Sequence, residues 1–124
     1  MENPIRLLVA NRPRLMRDLI RATLGDQPDI EIVNDVPDEP DIPKRVEETN
    51  PDFVIISQDK LWERPNVCDI TLRQRPDVRI IAVAQHRNYF VYFWASPDIH
   101  FRHLEASEEA LLGILRTKPI RGAA

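Results

Sequence analysis

The sequence predicts an α/β fold: a doubly wound, five-stranded parallel sheet with helices on both faces. Short apolar runs rich in valine and isoleucine, such as residues 5–10 and 52–57, alternate with amphipathic stretches. These runs are nearly continuous in apolar residues, as strands covered on both faces are. A chain of 124 residues with 43% hydrophobic and 30% charged residues has the size and composition of one globular domain.

In the first half of the chain, each predicted helix and strand has a local signal. Pro13 suits the first turn of a helix, and Gly25 suits the position just beyond its end. Apolar residues recur between them at spacings of three and four, which predicts a helix with one buried face. The predicted elements are a strand at 5–10, a helix from Arg12 to Leu24, a strand at 30–33, a weak helix from about 42 to 49 and a strand at 52–57.

The second half continues the alternation. Ser107 before Glu108 and Glu109 is a helix start, because the hydroxyl can cap the first turn and the acids complement the helix dipole. The predicted elements are a helix from Val67 to Arg75, a strand at 78–84, an aromatic-rich helix at 89–95, a short strand at 101–104 and a helix from Glu108 to about Arg116. Five strands joined by helices predict the strand order 2-1-3-4-5. Residues 1–118 are expected to form the domain, and residues 119–124 a tail or the stub of a linker.

Composition excludes several classes of function. Three glycines are too few for a glycine-rich phosphate-binding loop, and 17 basic against 20 acidic residues are too balanced to indicate a partner. The single cysteine, Cys68, cannot form a disulfide within the chain, which fits a reducing compartment. No apolar run approaches the roughly 20 residues that span a bilayer, and no secretion signal is recognised. We therefore expect a cytoplasmic protein without membrane contact.

Four segments together resemble the receiver domain of bacterial two-component response regulators. They are IRLLVANRP at 5–13, NPDFVIIS at 50–57, DVRIIAVA at 77–84 and ASEEALL at 106–112. The resemblance covers roughly residues 4–118. It implies a flavodoxin-like fold whose sheet edge carries a magnesium-dependent aspartyl phosphorylation site.

The residues of that site are not acidic in this chain. The resemblance places the two magnesium-binding carboxylates at Ala10 and Asn11, and the phosphate-accepting aspartate at Ser57. It places the hydroxyl that senses the phosphoryl group at Ala84 and the conserved lysine of the family at Leu104. The switch aromatic of the last strand corresponds to Phe101.

These replacements predict a pocket without phosphotransfer chemistry. Clustered carboxylates need a cation to offset their mutual repulsion, so acids and lysine are expected to disappear together. Magnesium usually takes at least one carboxylate ligand, whereas Asn11 and Ser57 offer only neutral oxygens. We accordingly expect no enzymatic activity, no metal and no cofactor.

Other residues offer alternatives to this interpretation. Asp59 and Lys60 follow Ser57 and could form a displaced phosphate acceptor, although solvated loop charges are the simpler interpretation. Ser57 lacks the flanking glycines of a nucleophile elbow. The three histidines, His86, His100 and His103, have no carboxylate or cysteine at a spacing suited to metal binding.

Two surfaces remain as candidates for function. A helix over 89–95 could not bury every large apolar residue on one side, so the segment is predicted to expose part of an interface. Its candidate interface residues are Tyr89, Tyr92, Phe93 and Trp94. Arg14, Arg17 and Arg21 recur on one side of the first helix and form a basic stripe.

The sequence therefore predicts a degenerate receiver that acts through protein–protein interaction independently of phosphorylation. Its partner would be another protein, an output domain or a second copy of the chain in a homodimer. The alternatives are an active phosphate acceptor that uses Asp59 and a module that binds nucleic acid or a small ligand in the neutral pocket. Nucleic acid is the weaker alternative, because one short basic stripe on a chain of net charge −3 is a poor electrostatic footprint.

Overall fold

The computed structural model describes residues 4–10, 14–35, 39–57, 64–84, 89–96 and 98–116. Four α-helices and six strands lie in these ranges, with a 3-10 turn at Glu39–Asp41. In chain order they are β1 (Ile5–Val9), α1 (Arg14–Leu24), β2 (Ile30–Asp35), α2 (Ile42–Thr49), β3 (Phe53–Ser57), α3 (Asn66–Gln74), β4 (Arg79–Ala84), β5 (Tyr89–Ala95), β6 (Ile99–Glu105) and α4 (Glu108–Leu115).

All six strands form one sheet in the order β2-β1-β3-β4-β5-β6. The pairs β1–β2, β1–β3 and β3–β4 are parallel, whereas β4–β5 and β5–β6 are antiparallel. The α/β class and the flavodoxin-like fold predicted from the sequence are confirmed. The prediction of five strands, all parallel, is wrong at the end of the chain.

The correction concerns residues 89–95, which form the strand β5 instead of a helix. This strand is buried on both faces: Val91 and Phe93 join the core beneath α2 and α3, and Phe90 joins the core beneath α1 and α4. A strand covered on both faces is apolar at successive positions, and tyrosine, phenylalanine and tryptophan favour strands. The Ser96 N–H donates to the Asp98 carbonyl (2.8 Å) at the tight turn into β6.

Two cores lie on opposite faces of the sheet. One contains alternate residues of the central strands, such as Leu8, Val54 and Ile80, packed against α2 and α3. The other contains the intervening residues, such as Val9 and Ile55, packed against α1 and α4. Side chains alternate between the faces of a strand, so the apolar runs of the central strands contribute to both cores.

Local signals at the helix ends agree with the predictions. The helix α1 ends at Leu24, and a side chain at Gly25 would place its Cβ only 2.7 Å from the Arg21 carbonyl oxygen. The Ser107 hydroxyl accepts from the Ala110 N–H (2.9 Å) and caps α4. Asn50 ends α2 in the left-handed conformation at φ 49°. Asparagine tolerates that conformation better than most residues do.

Candidate functional site at the carboxyl rim of the sheet

Three neighbouring strands end at one edge of the sheet, which we call the carboxyl rim and define by Ala10, Ser57 and Ala84. The Ala10 N–H donates to the Ile55 carbonyl (2.8 Å), which extends the β1–β3 ladder by one residue. Ser57 lies opposite Val83 in the β3–β4 pair, one residue before Ala84. The topology therefore brings together three of the positions that the sequence predicted to meet.

The rim carries no charge on these three side chains. Two are methyl groups and the third is a hydroxyl, and their residues are only 5%, 8% and 5% exposed in the order Ala10, Ser57, Ala84. Within the described ranges, no group of three histidine, cysteine, aspartate or glutamate residues is arranged to hold a metal ion. Neutral, nearly closed strand ends offer little attraction to a divalent cation or a phosphoryl group.

Several residues of the predicted site fall outside the described ranges. They are Asn11, which follows β1, the pair Asp59 and Lys60, which follows Ser57, and His86.

Leu104 does not join the rim. It lies on β6 opposite Phe90, and both β4 and β5 separate it from Ser57 on β3. Three strand spacings correspond to about 14 Å, too far for a side chain there to share a ligand directly with Ser57. The resemblance placed Leu104 in the same pocket as Ser57 and Ala84. The structure separates Leu104 from them, because β5 lies between β4 and β6.

Phe101 is displaced in the same way. It lies on β6 opposite Phe93, at a ring separation of 6.4 Å, and 57% of it is exposed. Phe101 also meets the ring of His103 edge to face at 5.5 Å. This aromatic belongs to the outer strand of a hairpin and not to the carboxyl rim.

The aromatic segment splits between the two faces of β5. Phe93 is buried at 3% exposure, whereas Tyr89, Tyr92 and Trp94 are half-buried. Trp94 stacks on His100 of β6 at 5.4 Å and 22° and lies 5.3 Å from Tyr92. Tyr89, Tyr92 and Trp94 each keep part of their surface accessible. The half-buried Tyr92 and Trp94 form a partly open aromatic surface with the exposed His100.

The predicted basic stripe is only partly described. Arg14 begins α1, and its side chain lies outside the described part of the chain. Arg17 is half-buried and Arg21 is exposed. The two described arginines therefore differ in their access to a partner.

The polar chemistry of the sheet lies at the opposite edge, which we call the amino rim and define by Arg6, Asp29, Asp52 and Arg79. Asp52 is 1% exposed, and its carboxylate accepts from the Arg6 backbone N–H (2.9 Å). The Asp52 N–H donates to the Arg6 carbonyl (2.8 Å), and the Asp52 carbonyl accepts from the Arg79 N–H (3.0 Å). One buried aspartate thus joins β1, β3 and β4 where they begin.

The Arg6 side chain extends this network. Its guanidinium donates to the carbonyl of Thr49, which ends α2, and to the Glu31 carboxylate (3.1 Å) on β2. These bonds satisfy a helix carbonyl that has no partner within the helix. The sequence did not predict a role for Arg6 or Asp52. Both lie at the start of a strand, and an aspartate directly before a buried strand could have indicated a hydrogen bond to a neighbouring strand.

An ion pair links the last helix to the same rim. The Arg116 guanidinium, just beyond α4, bonds the Asp29 carboxylate (2.9 Å) before β2. This hydrogen bond holds the pKa of the Asp29 carboxyl below its ordinary value of 3.8 and raises that of Arg116. Both groups are exposed to solvent, so the ion pair links α4 to β2 but contributes little to the stability of the fold.

Comparison with solved structures finds the same fold in three response regulators. A two-component response regulator of the LuxR family from Aurantimonas sp. SI85-9A1 matches with a TM-score of 0.60 and 16% identity, over 69% of this chain and 62% of that chain. The RcsB response regulator of Salmonella typhimurium matches with a TM-score of 0.60 and 14% identity, over 70% of this chain and 46% of that one. The signal receiver domain of NarL from Mycobacterium tuberculosis matches with a TM-score of 0.58 and 14% identity, over 68% of this chain and 69% of that chain.

These similarities establish a receiver-like fold. The match spans less than two thirds of the length of the first two structures. No protein-family model matches the sequence, and no curated protein is significantly similar to it. None of the helices described is long and apolar enough to cross a membrane.

Proposed function

We propose that this chain is a receiver-like signalling module that acts through protein–protein contacts and does not accept a phosphoryl group. The observation that carries the proposal is the carboxyl rim, where Ala10, Ser57 and Ala84 lie on adjacent strand ends without a charge. The fold supports the signalling role, because its structural neighbours are response regulators. On this proposal the chain is not an enzyme and works in the cytoplasm.

The chemistry of the rim supports phosphorylation independence. An aspartyl phosphate needs a carboxylate nucleophile and a cation that neutralises the transferred group. Ser57 supplies a neutral hydroxyl, and Ala10 supplies no ligand. The position predicted for the lysine, Leu104, is apolar and lies three strands away from Ser57. A signal that reaches this module is therefore expected to arrive by binding.

The interaction surface is proposed to be the β5–β6 hairpin. Its half-buried rings, Tyr92 and Trp94, offer apolar area at low entropic cost, as interface aromatics do. The partner would be another protein, an output domain or a second copy. Arg17 and Arg21 on α1 form the second candidate surface.

Intact-mass spectrometry after incubation with acetyl phosphate and Mg²⁺ tests phosphorylation independence. We expect no phosphoryl adduct on the wild-type chain, with a phosphorylatable response regulator as the positive control. An adduct that Asp59→Asn abolishes would replace this proposal with the displaced acceptor. An adduct lost in Ser57→Ala would assign the acceptor to the rim itself and would also refute the proposal.

A further inference from the structure

We propose that β6 pairs antiparallel with β6 of a second copy, so that one continuous sheet runs through a symmetric dimer. This inference rests on the proposed role of the chain as an interaction module and names its partner. It uses the sheet edge opposite β2, together with the side chains that flank that edge.

The first observation is the exposure of β6. It is the last strand in the sheet order, and five of its seven residues are exposed. Phe101, near the middle of the strand, is 57% exposed, one of three exposed large hydrophobic residues in the described part of the chain. An edge strand of this length that carries an exposed aromatic ring is a template for pairing with another strand.

The second observation is that β6 has no bulge and no proline to interrupt such pairing. Its register with β5 is regular over all seven residues, from Tyr89 opposite Glu105 to Ala95 opposite Ile99. The strand contains no proline, glycine or lysine. By contrast, the pairing of the other edge strand, β2, shifts in register between Leu7 and Leu8. Irregular pairing of this kind is one way in which sheet edges avoid association.

The turn before β6 indicates which backbone groups face outward. The Ser96 N–H donates to the Asp98 carbonyl, so these two residues form a hydrogen-bonded pair of the antiparallel ladder. Bonded and non-bonded pairs alternate in such a ladder, which directs the backbone groups of Ile99 and Phe101 away from β5. Those groups point toward the strand that a second copy would supply.

Opposite charges favour one register for the dimer. A dimer axis through Arg102 would place two arginines directly opposite each other, which is unfavourable. An axis through His100 places Phe101 opposite Ile99 of the second copy and Arg102 opposite Asp98 of the second copy. Arg102 and Asp98 are both exposed, so each can reach across. The strand is therefore complementary to itself, with two ion pairs and two apolar pairs in each dimer.

The symmetry also limits the assembly to two copies. Each chain uses its one β6 edge in the contact, and the remaining edges of the dimer are both β2. Because a two-fold contact uses the same surface on both partners, it closes without generating a filament.

A charge swap tests this register in the 124-residue chain. Sedimentation velocity over a concentration series should show a monomer–dimer equilibrium for the wild type. Arg102→Asp and Asp98→Arg should each raise the dissociation constant by about tenfold or more, because opposite charges become like charges in two cross-strand pairs. The double variant, Arg102→Asp with Asp98→Arg, should return to within about threefold of the wild type, since the pairs re-form with reversed sign.

The control is Arg45→Asp, the same change on α2, where the arginine is exposed and its side chain bonds the Glu48 carboxylate within the same helix. It should leave dimerisation unchanged, and circular dichroism should confirm that every variant is folded.

Three results would overturn the inference: a wild-type monomer at all concentrations, a dimer insensitive to both single reversals, or a double variant that stays as weak as the single ones. Each is independent of the phosphorylation assay, because a chain without phosphoryl adduct could still be monomeric and a phosphorylated chain could still dimerise. Failure of the pairing is therefore separable from failure of the proposed function.

Discussion

The two rims of the sheet differ in where they place charge. At the amino rim, a carboxylate that is 1% exposed accepts a backbone N–H, and guanidinium groups bond a helix end and two further carboxylates. At the carboxyl rim, the ends of the central strands β1, β3 and β4 carry two methyl groups and one hydroxyl, at Ala10, Ala84 and Ser57. In open parallel sheets, ligands bind outside the carboxyl ends of the strands. Around the central strands β1, β3 and β4, the charged groups that the structure describes therefore lie at the rim that holds the strands together and not at the rim where ligands are expected.

The polar groups that hold the strands together therefore lie apart from the strand ends where a ligand would bind. The buried Asp52 at the amino rim has hydrogen-bond partners on β1 and β4 in the folded state, as buried polar groups generally do. Neutral side chains at the carboxyl rim avoid the cost of burying a charge and need no cation. Substitutions at the two rims should consequently have unequal effects on stability.

The largest effect is expected from Asp52→Ala. The change leaves the Arg6 N–H without its acceptor beneath the surface and opens space at the junction of three strands, so the free energy of unfolding should fall by about 2–4 kcal/mol. Urea denaturation measures it. Asp52→Asn, which keeps an acceptor oxygen, should lose less. A loss below about 1 kcal/mol for Asp52→Ala would contradict the conclusion that Asp52 holds β1, β3 and β4 together at the amino rim.

Arg6→Met should have an intermediate effect. Methionine keeps an unbranched apolar stem, but the bonds of the guanidinium to the Thr49 carbonyl and the Glu31 carboxylate are lost. A net hydrogen bond contributes about 1 kcal/mol, and the exposed ion pair contributes less, so we expect a decrease of about 1–2 kcal/mol. The same denaturation experiment with Arg45→Met, on the surface of α2, provides the matched control. Equal losses in both variants would show that Arg6 contributes no more than a surface arginine.

Ser57→Ala should have a smaller effect still. It replaces the hydroxyl at the carboxyl rim with the methyl group that Ala10 and Ala84 already carry. The free energy of unfolding should therefore change by less than about 1 kcal/mol. A destabilisation as large as that of Asp52→Ala would mean that the carboxyl rim also depends on a polar side chain. That outcome would remove the difference between the rims.

The smallest effect is expected from Asp29, and it depends on pH. The folded-state pKa of this carboxyl is lowered by Arg116, so its contribution is present above the unfolded value of about 3.8 and is lost as the pH falls through the lower folded value. Asp29→Asn should therefore reduce stability slightly at neutral pH and not at all below the folded pKa. Thermal unfolding at neutral and strongly acidic pH measures the difference. A variant effect that grows on acidification would have the wrong sign for this ion pair.

The first four strands and their helices could be predicted because their signals are local. Each is an apolar or amphipathic run bounded by a proline, a glycine or a polar residue, as at Gly25 after α1 and Asn50 after α2. The strand β5 could not be distinguished in this way, because burial on both faces hides the alternation that identifies a strand. The available signal for a hairpin in the sequence was the run of turn-forming residues from Ser96 to Asp98 between two stretches that contain large apolar residues.

The candidate site was predictable only in part. Ala10, Ser57 and Ala84 could be placed together because parallel strands end at one edge. Leu104 could not, because its position depends on whether the preceding segment is a helix beside the sheet or a strand within it. That choice depends on the pairing of β5 with β4 and β6, which brings together residues far apart in the sequence and has no local signal.

The neutrality of the carboxyl rim is tested most directly by nuclear magnetic resonance of the backbone amides of Ala10, Ser57 and Ala84. We predict that their resonances do not move when Mg²⁺ and beryllofluoride are added, because the strand ends supply no carboxylate to either. Saturable shifts at these three amides that require both additions would contradict the account.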